Sequence, residues 1–99
     1  MNFTLIFNDK AKDEYIATIL WYEEREPGLG ERFESETEKQ LRKITSNPYA
    51  YHYSKGKFRE SSVDDFPFTI IYKINEKNNT IYISSIFHTS RNPKGKYRR

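Results

Sequence analysis

The side chains best equipped for chemistry are cationic and aromatic, and they gather in two stretches of the second half of the chain. Lys55, Lys57 and Arg59 are spaced two apart, so on one β-strand they would share a face. Three cations in a row repel one another, and an anion lying across that face would offset the repulsion. Lysines that guard an exposed edge strand against aggregation are the plainer source of the same pattern. On that strand Glu60 would point the opposite way, which suits a surface ion pair better than a general base. The second stretch holds His88, Arg91, Lys94, Lys96 and Tyr97. Histidine titrates near neutral pH and can move a proton, although a lone strand-end histidine is more often a hydrogen-bonded structural residue. The planar fork of Arg91 fits a phosphate. Tyr97, flanked by Lys96 and Arg98, can stack on a nucleobase or take part in proton transfer beside cations; as an ordinary tail aromatic it would do neither. His52 and the tyrosines at 49, 51 and 53 read mainly as packing.

Other chemistries lack their residues. Two histidines, no cysteine and no paired acidic spacing do not supply a metal site, and the sequence calls for no metal and no cofactor. Pro27-Gly28-Leu29-Gly30 is too short and wrongly placed for a phosphate loop. Ser61-Ser62 and Ser84-Ser85 lack the strand–turn–helix elbow of a serine nucleophile. What remains is metal-free chemistry on a phosphodiester, or binding alone. The charge agrees with an anionic partner, whether nucleic acid or an acidic protein segment. The net charge is +3, and residues 91–99 carry Arg91, Lys94, Lys96, Arg98 and Arg99 without an acid, so the excess sits in a basic C-terminal tail. The same tail could also serve solubility alone.

These residues need a scaffold, and 99 residues suffice for one domain spanning 1–99. Only 35% of the chain is apolar and 31% is charged, but eight tyrosines, seven phenylalanines and one tryptophan compensate. Each buried ring removes roughly 150–250 Å² from water, and so aromatic a chain is unlike a disordered one. The absence of cysteine, of a long apolar run and of a signal-peptide core fits a cytoplasmic protein without a membrane partner. Phe3, Leu5 and Phe7 alternate with polar neighbours as a first strand. Asn8 or Asp9 can cap a helix from Ala11 to about Glu24, in which Ala11, Tyr15, Ile16, Ile19, Leu20 and Trp21 or Tyr22 recur at helical spacing. Pro27-Gly28-Leu29-Gly30 breaks it. A second helix runs from about Gly30 to Thr45 with Phe33, Thr37, Leu41 and Ile44 inward, and Asn47-Pro48 ends it. Three strands follow: 56–63, 68–74 after Pro67, and 80–88 beyond an Asn78-Asn79 turn. The expected fold is α+β, in the order β-α-α-β-β-β, with a helical hairpin on one face of a mainly antiparallel sheet.

The order and spacing of these pieces resemble those of the RelE/ParE toxin superfamily. The resemblance is carried by Trp21-Tyr22, Pro27-Gly28-Leu29-Gly30, Phe33, Leu41, Ile44 and Asn47-Pro48, then by Arg59, Phe66-Pro67-Phe68, Ile71-Tyr72, His88 and Arg91-Asn92-Pro93. It covers nearly the whole chain. It implies the toxic half of a type II toxin–antitoxin pair, neutralised by a cognate antitoxin. RelE-like members cut mRNA on the ribosome without metal, using basic residues and often a late tyrosine or histidine; ParE-like members poison DNA gyrase. On the first pattern Arg59, Arg91, Tyr97 and His88 would be catalytic, and Lys55, Lys57, Lys94 and Lys96 would bind phosphate. Thr69 stands where RelE-like enzymes carry a strand arginine, which removes a phosphate contact and leaves open a relic that binds antitoxin without toxicity. Phe66-Pro67-Phe68 and Pro27-Gly28-Leu29-Gly30 look more ParE-like, so the target stays open between ribosome and gyrase.

Overall fold

A computed structural model describes residues 3–90 and 96–98. Strand β1 (Thr4–Phe7) leads into helices α1 (Asp9–Arg25) and α2 (Leu29–Ser46), and one turn of 3-10 helix at Pro48–Ala50 follows. Strands β2 (Tyr53–Lys55), β3 (Phe58–Ser62), β4 (Phe68–Asn75) and β5 (Thr80–His88) complete the order. They form one sheet, arranged β1-β5-β4-β3-β2, in which β1 runs parallel to β5 and every other pair is antiparallel. The α+β architecture expected from the sequence is present, with one additional short strand, β2, at the sheet edge.

Local chemistry accounts for the helical hairpin. The Asn8 side chain caps α1 by accepting from the Lys10 and Ala11 amides at 2.9 and 3.2 Å. Its amide nitrogen donates to the Tyr82 hydroxyl at 2.8 Å, which ties the helix start to β5. Between the helices Gly28 takes φ +89°, a left-handed conformation that favours glycine. The Glu23 carboxylate accepts from the Gly28 and Gly30 amides at 2.8 and 3.0 Å. The Gly28 amide, with help from that of Gly30, holds this carboxyl below the usual carboxylate range against an opposing contribution from desolvation. At Gly30 the helices come closest: a Cβ there would lie 2.3 Å from the Ile19 carbonyl oxygen and 2.9 Å from the Glu23 Cβ.

The helices cover one face of the sheet. From α2, Phe33, Thr37, Gln40, Leu41 and Ile44 are buried, as the spacing predicts apart from Gln40, which donates to Ser61 on β3. From α1, Ala11 and Tyr15 are buried, with Ile19 and Tyr22 packed against the core. Ile16, Leu20 and Trp21 sit about half exposed on the outer side. Apolar residues surround α1, so helical spacing alone does not choose its inner side. On the sheet, Phe68, Ile70, Tyr72, Ile81, Ile83 and Ile86 meet the helices. Tyr22, Phe33, Phe66 and Phe68 form an aromatic centre with ring centroids 4.9 to 6.3 Å apart, packing that offset and edge-on rings favour. The Tyr72 hydroxyl donates to the Pro48 carbonyl at 2.7 Å, and burial pushes its phenol well above the ordinary tyrosine value. Burial, with Glu38 accepting from the hydroxyl at 2.9 Å, does the same to Tyr15.

Among the described residues the other face bears no helix, yet Ile71 on it is fully buried. Its neighbours across the sheet are Glu60 and Ser85. The register of β5 against β4 slips here, from Ile71 opposite Ser85 to Tyr72 opposite Ile83. Ser84 is therefore the extra residue of a β-bulge, a device that re-aims a side chain.

Candidate functional site

Cα partners on paired strands share a face, and neighbours along a strand alternate. On β4, Thr69, Ile71 and Lys73 therefore belong to the helix-free face, with Phe58 and Glu60 on β3 and Tyr82, Ser85 and Phe87 on β5. Segment 96–98 is tied to this region. The carbonyl of Lys96 accepts from the Ser84 and Ser85 hydroxyls, both at 2.9 Å. The Arg98 amide donates to the Ser84 oxygen. The bulge thus supplies two adjacent hydroxyls to one passing backbone. Arg98 then reaches α1, where its guanidinium donates two parallel hydrogen bonds to the Glu14 carboxylate at 2.8 and 2.9 Å. Hydrogen bonding to Glu14 holds the Arg98 guanidinium above its already high ordinary value.

Tyr97 is thereby held over the sheet. Its hydroxyl is hydrogen-bonded to the Ser54 hydroxyl, and its ring packs on Phe58 with centroids 5.2 Å apart. The ammonium groups of Lys55 and Lys96 lie 5.5 and 5.6 Å from its ring centre. Lys96 is also 5.4 Å from the Phe87 ring. Lys73 lies 5.4 Å from the rings of both Phe58 and Tyr82, distances at which cations and aromatic faces attract. The face is a patchwork of ammonium groups and rings, a surface that can meet phosphates and bases together.

The expected alignment of Lys55, Lys57 and Arg59 along one strand is corrected by the structure. Gly56 at φ +56° turns the chain, so Lys55 ends β2, Lys57 lies in the turn and Arg59 belongs to β3. Lys57 lines a groove on the helix-free side with Lys73, Lys77 and Tyr82. Arg59 pairs with the core residue Tyr72 and so lies on the helix-bearing face, opposite to Tyr97. There it donates to the carbonyls of Tyr51 at 2.6 Å and Tyr49 at 3.4 Å, with its guanidinium 4.1 Å from the Tyr53 ring centre. Of the tyrosines read as packing, Tyr51 packs against the core, whereas Tyr49 and Tyr53 are exposed with their rings beside this arginine. Glu60, on the helix-free face, lies 3.9 Å from His52.

His88 also faces the helices, opposite Phe68. Its ring stands edge-on to Phe68 with centroids 5.0 Å apart, and its Nδ1 accepts from the Ser90 amide at 3.1 Å. It borders a cleft with Glu14, Trp21 and Phe68. The structure therefore joins Tyr97 to Lys55 and Lys96 and separates both His88 and Arg59 from them. Thr69, opposite Phe87, is buried on the helix-free face. Arg91 and Lys94 lie outside the described residues. Lys73 was missed by sequence reasoning, although it is the one charge in the apolar run 68–74 and occupies an outward position of the period-two pattern.

The fold is similar to that of a solved toxin. A mutant of the E. coli toxin RelE in the free state superimposes on 91% of this chain and 86% of its own, with a TM-score of 0.68 and 15% sequence identity. The family follows from sequence: the model of the ParE toxin of type II toxin–antitoxin system, parDE, matches residues 5–93, and the chain belongs to that family. No curated protein matches it in sequence. The chain is thus a toxin of a type II toxin–antitoxin system within the RelE/ParE superfamily, and its family implies an antitoxin as partner. Among the described residues no helix is long and apolar enough to cross a membrane.

Proposed function

We propose that this toxin acts in the cytoplasm by cutting ribosome-bound mRNA without metal, through the helix-free face of the sheet. The observation that carries the reading is Tyr97, held on that face with the Lys55 and Lys96 ammonium groups about its ring. In the reaction an RNA 2′-hydroxyl gives up its proton and its oxygen bonds to the adjacent phosphorus. The bond from phosphorus to the 5′-oxygen breaks, and that oxygen takes up a proton. A 2′,3′-cyclic phosphate and a 5′-hydroxyl result. Tyr97 is the group suited to pass a proton. Lys55, Lys57, Lys73 and Lys96 balance the charge that develops on phosphorus, joined in this reading by Arg91 and Lys94. Arg59 and His88, on the opposite face, take no part.

A second reading has its own support. Arg59 is engaged by backbone carbonyls, Thr69 replaces the strand arginine, and the matching family model is that of ParE. Gyrase is then the target, and the basic segment is a protein contact. Mapping transcript 5′ ends minutes after induction, without the antitoxin, separates the two. New ends inside translated codons, lost with Tyr97→Phe and with Arg91→Ala, support mRNA cleavage. Growth arrest with DNA-damage signalling and intact transcripts supports gyrase. Unimpaired growth leaves a chain that binds antitoxin without toxicity.

A further inference from the structure

Tyr97 stands in a segment with little regular structure of its own, so its position must be imposed from outside. Groups remote in sequence do this: Ser54 holds its hydroxyl, Ser85 shares the Lys96 carbonyl, and two more brace its flanks. Ser84 is buried at the β5 bulge and bonds to the segment on both sides of Tyr97, at the Lys96 carbonyl and the Arg98 amide. Glu14, 84 positions from Arg98, grips its guanidinium through both carboxylate oxygens. The pair is partly withdrawn from water, with side chains 17% and 40% exposed for Arg98 and Glu14, and fork-to-carboxylate pairing adds fixed geometry to charge. Tyr97 is thus bracketed, with Ser84 beneath its flanking backbone and Glu14 holding the next side chain.

We infer that Glu14 and Ser84 are positioning residues that latch segment 96–98 to the sheet and so fix Tyr97 over Ser54 and Phe58. The catalytic consequence rests on the mRNA-cleavage reading; the latch itself does not. Neither residue belongs to the basic face. Glu14 acts through Arg98, and Ser84 acts through the backbone on either side of Tyr97. A negative charge on α1 therefore controls the geometry of a site on the far side of the sheet edge.

The test is hydrogen exchange at the position-98 amide of the full chain, measured by NMR, together with steady-state cleavage of mRNA bound to ribosomes. Glu14→Ala and Ser84→Ala should each speed exchange at that amide about tenfold, the worth of one partly exposed charge-assisted pair or one buried hydrogen bond. Core amides such as those of Leu41 and Ile70 should keep their rates, which separates unlatching from unfolding. Cleavage by Glu14→Ala should lose about tenfold in kcat with KM unchanged. The charge exchange Glu14→Arg with Arg98→Glu should restore both exchange and kcat. Unchanged exchange in both single variants overturns the latch. Faster exchange with unchanged kcat overturns the positioning role. Faster exchange in the variants of a chain that never cleaves RNA supports the latch and removes the cleavage reading instead.

Discussion

Replacing Tyr72 by phenylalanine removes one oxygen from the centre of the molecule and leaves the ring. The wild-type hydroxyl donates to the Pro48 carbonyl at 2.7 Å, and both residues are fully buried. The variant loses that bond and strands the carbonyl away from water, and such losses amount to about 1–3 kcal/mol. No cavity term of note is added, because the ring still fills its place. The effect should also depend on pH. Burial favours the neutral phenol, so the folded value lies well above the ordinary one, which is near 10. The unfolded chain loses this proton first. The stabilisation is therefore complete below pH ~10 and declines as pH rises toward the folded value, by about 1.4 kcal/mol per unit. Tyr15 adds a second such group to both proteins. Urea unfolding followed by circular dichroism should give a gap between wild type and Tyr72→Phe of about 2 kcal/mol at pH 7, falling below about 1 kcal/mol at pH 11. A gap that stays constant between the two pH values would refute the account of the buried phenol. A gap near zero at pH 7 would refute the account of the hydrogen bond.

Three further outcomes follow from the same contacts. Gly30→Ala should lower the unfolding free energy by roughly 3 kcal/mol or more, because the new methyl meets the Ile19 carbonyl oxygen at 2.3 Å and backbone cannot step aside; a drop in Tm of several degrees checks it. Arg59→Lys should lower Tm while leaving RNA cleavage intact, since one ammonium cannot hold the Tyr49 and Tyr51 carbonyls and stack on Tyr53 as the planar fork does. Lys73→Ala should leave Tm almost unchanged but weaken binding to single-stranded RNA and reduce the salt dependence by about one ion, read from titrations at several salt concentrations.

The fold was legible where one side chain pattern had one explanation. The α2 stripe of Phe33, Thr37, Leu41 and Ile44 is apolar on one side only, and the glycines at 28 and 30 mark a hairpin that their backbone geometry requires. The Phe68–Asn75 strand could be read because both of its faces are buried up to Tyr72. The site was less legible, because alternation assumes an unbroken strand. Gly56 breaks that assumption between Lys55 and Lys57, and an isolated glycine inside a strand pattern is a sign of irregularity that the spacing argument passed over. The face that Arg59 occupies is set by its pairing with Tyr72, a long-range fact absent from local spacing. The bulge at Ser84 is equally hidden: two adjacent serines look inert until the register slips and both hydroxyls meet the Lys96 carbonyl. The separation of His88 from Tyr97 follows from the same topology and not from their nearness in sequence.

The parallel seam between β1 and β5 has a consequence for how the molecule comes into being. β4 and β5 close through a local turn in which Asn79 adopts φ +51°, and such a hairpin forms in about 1–10 μs. Among the described residues β1 instead pairs with β5 alone, far along the chain, and its clasp between Asn8 and Tyr82 bridges 74 positions. Closing so long a loop is entropically costly until most other contacts exist to offset it. β1 precedes β5 in the chain, so during synthesis it waits for β5 before it can pair with it. A nascent chain of this toxin therefore carries β1 unpaired until β5 is made, and the sheet closes along this seam only then.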